Sequence, residues 1–133
     1  MKTQHFLELG KQQVQDFCID IEIWFNGTAS DPNALYEKIL ASFDPAFILM
    51  NGDGHTIDFP SLTQWLQGVY GQFPTRKVTL QNLTGNATTQ HILLTYTEIQ
   101  VTDGIQNTRQ ASAIFRLHDN QALWYHLVEK WVM

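Results

Sequence analysis

Four side chains in the second half of the chain, Tyr96, Glu98, Arg109 and His126, have the types and spacing for acid/base chemistry. Their relative placement follows from Asp103-Gly104, a two-residue hairpin signal that sets strand register. With that loop, Thr102 faces Ile105. Counting back then places Glu98 opposite Arg109, Tyr96 opposite Ala111, Leu94 opposite Ala113 and Ile92 opposite Phe115, all on one face of a sheet. If Asp119-Asn120 is a second such turn, Ala113 faces His126 and Phe115 faces Trp124. His126, Val128 and Lys130 then join the same face, and Glu129 and Trp131 fall on the outer face as dimer contacts. A slip of one residue would instead bring in Tyr125, Leu127, Glu129 and Trp131.

A carboxylate whose pKa is set by burial and by a guanidinium can act as a base, and the guanidinium can bind an anion or stabilise an enolate or oxyanion. The same pair at a rim would be a cross-strand ion pair worth under about 1 kcal/mol. Locked to Arg109, Glu98 would be better at binding than at proton abstraction. His126 is either an acid/base group or hydrogen-bond donor to substrate, or a core histidine bonded to Tyr96 or a backbone carbonyl. Ala111 and Ala113, between larger neighbours, leave a hollow that suits a small molecule. Trp24, Tyr36, Trp65 and Trp124 occupy apolar positions. They are core residues that would also line any pocket under the helices and favour an apolar or aromatic ligand. His5, His55, His91, His118 and His126 show no HxH or HExxH spacing, so no metal is expected. There is no GxGxxG, Walker or GxSxG pattern, and no cofactor is expected.

These groups need elements to hold them. "FCIDIEIWF" (17–25) alternates apolar and polar like a strand, yet Val14, Phe17, Cys18, Ile21, Trp24 and Phe25 also fall at helical spacing. Helix formers precede the stretch and Gly27 follows it, which predicts one helix over 4–26, with Ile19 and Ile23 off the main stripe and Asp20 and Glu22 on a solvated face. Asp31 and Pro32 begin a second helix that Pro45 stops. "AFILMN" and "HTIDF" read as short strands around the "GDG" turn, and Asp53 and Asp58 fit no calcium loop. Pro60-Ser61 opens a third helix. "RKVTLQNLT", "HILLTYTEIQVT", "IQNTRQASAIFRL" and "ALWYHLVEKWV" form a four-stranded meander, with "GNAT" (85–88) at a loop tip. Helices first and strands later predict an α+β domain.

Length and composition agree. A chain of 133 residues suggests a single domain, 1–133, able to bury its own core. With 44% hydrophobic and 16% charged residues it is globular, and a net charge of −5 argues against nucleic-acid binding. The lone Cys18 sits in an apolar stretch and reads as a buried hydrophobe. With no apolar leader and no run of about 18 apolar residues, a cytoplasmic protein without membrane contact is expected.

The stretches "DPAFILMNGDGHTIDFPSLTQWL", "LLTYTEIQ", "RQASAIFRL" and "LWYHLVEKWV" resemble the NTF2-like superfamily in its SnoaL-like, DUF4440-type branch. In the last stretch His126 matches the first histidine of the family's His-x-His pattern, and Val128 stands at the second. The resemblance implies a cystatin-like cone: three N-terminal helices packed on a strongly curved, mostly antiparallel sheet around a pocket. It also implies homodimers, often through the outer sheet face. Two functions follow as expectations. The first is a binder of a small, partly apolar molecule able to carry a carboxylate, with cofactor-independent acid/base chemistry of isomerase, dehydratase or hydrolase type. The second is a non-catalytic homodimeric association module.

Overall fold

A computed structural model describes residues 2–132. Helix α1 (Lys2–Asn26) is followed by α2 (Pro32–Ala41), β1 (Phe43–Met50), β2 (Thr56–Asp58), α3 (Phe59–Gly68), β3 (Lys77–Ala87), β4 (His91–Thr102), β5 (Ile105–His118) and β6 (Gln121–Trp131). The strands form one sheet in the order β2-β1-β6-β5-β4-β3. All neighbours are antiparallel except β1 and β6, which run parallel.

The ambiguous stretch 17–25 is helical. Its 3.6-residue stripe continues that of the preceding turns, so Val14, Cys18, Ile21, Trp24 and Phe25 are all buried in the core. The alternative face carries Ile19, which is 60% exposed. Asp20 and Glu22 are not on a solvated face. Asp20 is buried and paired with Lys38 of α2 at 2.9 Å. Glu22 Oε1 accepts the backbone N–H of Val78 at 2.7 Å, tying α1 to β3.

Asp31 caps α2 by accepting from the Ala34 N–H, and Asp58 caps α3 by accepting from the Ser61 N–H. Helix α2 ends before Pro45. Ser42 is its C-cap, and Pro45 lies inside β1, where the pairing with β6 is interrupted between Phe43 and Ile48. A residue without an N–H is tolerated at such a gap in the ladder. The "GNAT" segment is not a loop tip either, because β3 runs through Ala87.

Both hairpin turns have the expected form. Asp103 and Gly104 lie at φ 52° and 79°, and Asp119 and Asn120 at 49° and 61°, the left-handed pairs of type I′ turns. The β4–β5 ladder is the one counted from the sequence, with Glu98 opposite Arg109 and Tyr96 opposite Ala111. The β5–β6 ladder begins as counted, from His118 opposite Gln121 to Phe115 opposite Trp124, and then shifts by one residue, so that Ile114 faces His126 and Ala111 faces Glu129. This is a β-bulge. Trp124 is held inward against Phe115 (4.4 Å between centroids), Phe17 and Phe43, while its backbone N–H bonds Ser42 O. Tyr125 and His126 stack on each other at 4.0 Å, with the Arg116 guanidinium over the Tyr125 ring. Arg116 and Ile114 point away from the core, which puts the stack on the outer face. Two residues of β6 thus oppose one of β5, and every later side chain changes face.

Gly85 pairs with Leu94, and a Cβ built there would overlap the Leu93 carbonyl oxygen. Gly85→Ala is expected to destabilise the fold by about 3 kcal/mol, since a backbone atom must move. Urea unfolding of the variant checks this, and a midpoint equal to wild type would refute it.

Candidate functional site

Beyond the bulge, the inner face of the sheet carries a charged cluster. Strand β4 contributes Tyr96, Glu98 and Gln100, all buried. Strand β5 contributes Asn107 and Arg109, and β6 contributes Glu129 and Trp131. Arg109 lies between two carboxylates: Nε is 3.8 Å from Glu98 Oε2, and Nη1 is 3.6 Å from Glu129 Oε1. Its Nη2 donates to Asn107 Oδ1 at 2.9 Å, and its guanidinium lies over the Trp131 ring at 4.7 Å. Gln100 Nε2 donates to Glu98 Oε2 at 2.8 Å. Among the described residues, the buried Arg109 Nε–H has no hydrogen-bond acceptor.

Burial sets the proton affinities here. It pushes the Glu129 carboxyl up to about 7, against the opposing pull of Arg109 and with further help from the charge of Glu98. Burial also raises the Tyr96 phenol well above its ordinary value, as do the charges of Glu98 and Glu129, so it stays protonated at neutral pH and keeps its O–H as a donor. Cys18 is raised for the same first reason and is no thiolate. The β1–β2 turn closes one side of the cluster: Trp131 Nε1 donates to Asp53 Oδ1 at 2.9 Å.

No family model matches the sequence, and no curated protein does. Solved structures do match in fold. An NTF2-like protein of unknown function from Pseudomonas aeruginosa superposes with a TM-score of 0.88 at 18% identity, over 94% of this chain and 99% of that one. The fold is NTF2-like. A candidate dehydratase of the NTF2-like family from Streptomyces avermitilis superposes at 0.75 with 13% identity, over 96% of each chain. A candidate calcium/calmodulin-dependent kinase II association domain from Exiguobacterium sibiricum superposes at 0.61 with 8% identity, over 92% of this chain and 93% of that one.

In this NTF2-like cone Tyr96, Glu98 and Arg109 come together as counted from the sequence. His126 does not join them. The bulge turns it to the outer face, with Val128 and Lys130, and Glu129 takes the inward position instead. Glu129 and Trp131 are therefore not outer-face residues. Gln100 and Asn107 complete the cluster without having been expected there, although their two-residue spacing from Glu98 and Arg109 is a signal for it.

The aromatic residues fill more than they line. Trp24 is buried, donates Nε1 to Leu66 O and packs edge-on against Tyr70 at 4.6 Å. Tyr36 lies beside it, with its hydroxyl accepting from Gln67. Trp124 is in the core, and Trp65 is 46% exposed. The apolar end of the cone is thus packed with rings. Two outer clefts of about 370 and 520 Å³ run along α1 and α2 and include none of Tyr96, Glu98, Arg109 or Glu129. No described helix is long and apolar enough to cross a membrane, and no described group of His, Cys, Asp and Glu has the arrangement of a metal site.

The Glu129 shift has a sign that can be tested. Its folded-state value lies above that of an unfolded glutamate, so its contribution to stability is complete below the ordinary carboxylate range and is lost as pH rises through about 7. Glu129→Gln is expected to melt several degrees above wild type at pH 8 and close to it at pH 5. Parallel melting curves across that pH range would contradict the burial argument.

Proposed function

We propose that the chain binds a small, partly apolar molecule at the charged end of the cone and moves a proton on it without a cofactor. One observation carries this reading: a guanidinium is held between the buried Glu98 and the partly buried Glu129, whose carboxyl titrates near neutral pH, with a buried N–H left over. Charges out of water cost several kcal/mol each, and apolar side chains often serve stability as well or better. Strongly shifted groups concentrate where chemistry needs them.

In this reading Glu129 is the base and takes the place expected for His126. Its carboxylate accepts a proton from a carbon next to a carbonyl. The charge that develops on the carbonyl oxygen is met by Arg109 and by the Tyr96 O–H. Return of the proton to another carbon completes an isomerisation, whereas loss of a β-hydroxyl as water completes a dehydration. Glu98, with Gln100, holds Arg109 in place. A SnoaL-like, DUF4440-type assignment is consistent with this chemistry and rests on the sequence stretches that suggested it. The candidate dehydratase shares the fold at 13% identity, so it supports the architecture and leaves the substrate open.

Exchange of α-protons for solvent deuterium, followed by NMR over a panel of aryl ketones and enones, tests the reading across a substrate class rather than on one compound. Wild type is expected to catalyse exchange on at least one member. Glu129→Gln should lower the rate about 100-fold while retaining binding, and Arg109→Ala should abolish both. Exchange that persists in Glu129→Gln would refute the assignment.

A second reading, homodimeric association, is favoured by the outer face of the sheet. Leu93 and Val128, 47% and 45% exposed, stand there among Thr95, Thr97, Ser112 and Gln110. If two copies meet on this face, Val128→Glu is expected to give monomers by light scattering with helix and strand content intact. An unchanged mass would remove this surface from consideration.

A further inference from the structure

Arg76 flanks the Arg109 cluster, near enough for the charges of Arg109 and Glu98 to act on it. Asn26, at the end of α1, donates Nδ2 to the carbonyls of both Phe73 and Arg76 at 2.9 Å, which pins the backbone of this rim segment. The Arg76 guanidinium lies 3.7 Å from the Phe73 ring centroid and 4.7 Å from that of Phe25. Its Nε donates to Thr102 Oγ1 at 2.8 Å. Thr102 follows Tyr96, Glu98 and Gln100 at two-residue spacing on β4, so Arg76 caps the same inner row.

Arg109 has two carboxylates within 4 Å, whereas Arg76 feels the charge of Glu98 only from further away. Among the described residues no carboxylate lies within 4.0 Å of Arg76, and its only side-chain hydrogen bond is the one to Thr102. The α1 C-terminus beneath it supplies about half a negative charge, which leaves a net positive group on an aromatic shelf. A half-buried arginine with free terminal N–H groups in fixed orientation suits bidentate capture of a carboxylate.

We propose that Arg76 is the anion-recognising group of this protein, and that its ligand is an apolar molecule with a carboxylate at one end. The inference rests on the charged end of the cone being a ligand site. It assigns the two ends of the ligand: the carboxylate to Arg76, and the uncharged reacting end to Glu129 and Arg109. A second anion beside Arg109 would face both carboxylates, so that end of the ligand is neutral. Glu98 and Thr102 are four residues apart on one strand, about 13 Å at the usual rise, which bounds the length of the ligand.

The test uses a matched pair of probes of that length, 8-oxo-8-phenyloctanoate and its primary amide, titrated into the full chain and followed by amide NMR. The acid is expected to bind at least about 10-fold more tightly than the amide, with shifts at Thr102, Glu98 and Ala111. Arg76→Gln should erase the difference by weakening the acid alone, and Arg76→Lys should restore part of it. Glu129→Gln should keep it. Equal affinities for acid and amide in wild type, or an unchanged ratio in Arg76→Gln, would overturn the role of Arg76 while leaving the ligand site standing. If neither probe perturbs Glu98 and Ala111, the ligand site itself fails, and this inference with it.

Discussion

Holding a guanidinium between two carboxylates inside a small domain removes three charges from water together. Each alone would be costly, and the arrangement survives because every member faces an opposite charge and most have a hydrogen-bonding neighbour. Gln100 supports Glu98, Asn107 supports Arg109, and the guanidinium lies over the Trp131 ring. The contacts are loose, at 3.6–3.8 Å, and one Arg109 N–H is unmatched. The cluster is therefore held without being locked, and Glu129 is left close to its balance point between charged and neutral forms.

Geometry makes the cluster possible through a single extra residue in β6. Without the bulge, the inner face of that strand would present His126, Val128 and Lys130. With it, the face presents Leu127, Glu129 and Trp131. The aromatic packing around Trp124 and the outward stack of Tyr125 on His126 pull adjacent residues in ways that a regular ladder cannot satisfy. The insertion resolves that conflict and, as a consequence, selects which acid faces Arg109.

How much of this is legible in the sequence depends on the kind of signal. The type I′ turns are visible as Asp-Gly and Asp-Asn pairs, since few residues tolerate two positive φ angles in succession, and the β4–β5 pairing follows by counting. The α1 stripe is legible because its helical period extends beyond the ambiguous nine residues. The bulge is not, because it arises from tertiary packing of Trp124 against Phe17, Phe43 and Phe115, which are distant in sequence. Asp20 and Glu22 look solvent-facing for a similar reason: their partners, Lys38 and the Val78 N–H, lie in other elements. Arg76 gives no local pattern at all, being defined by a helix end and a strand end far apart in the chain.

The place of β6 in the sheet bears on how the molecule is made. It lies between β1 and β5, yet it is the latest of the six strands in chain order. During synthesis the hairpins of β3, β4 and β5 can form early, while β1 and β2 wait with an open edge until β6 leaves the ribosome. A nascent chain that has β5 but lacks β6 exposes the unpaired borders of β1 and β5 at once, a state that invites chaperone capture or pairing with a neighbouring copy.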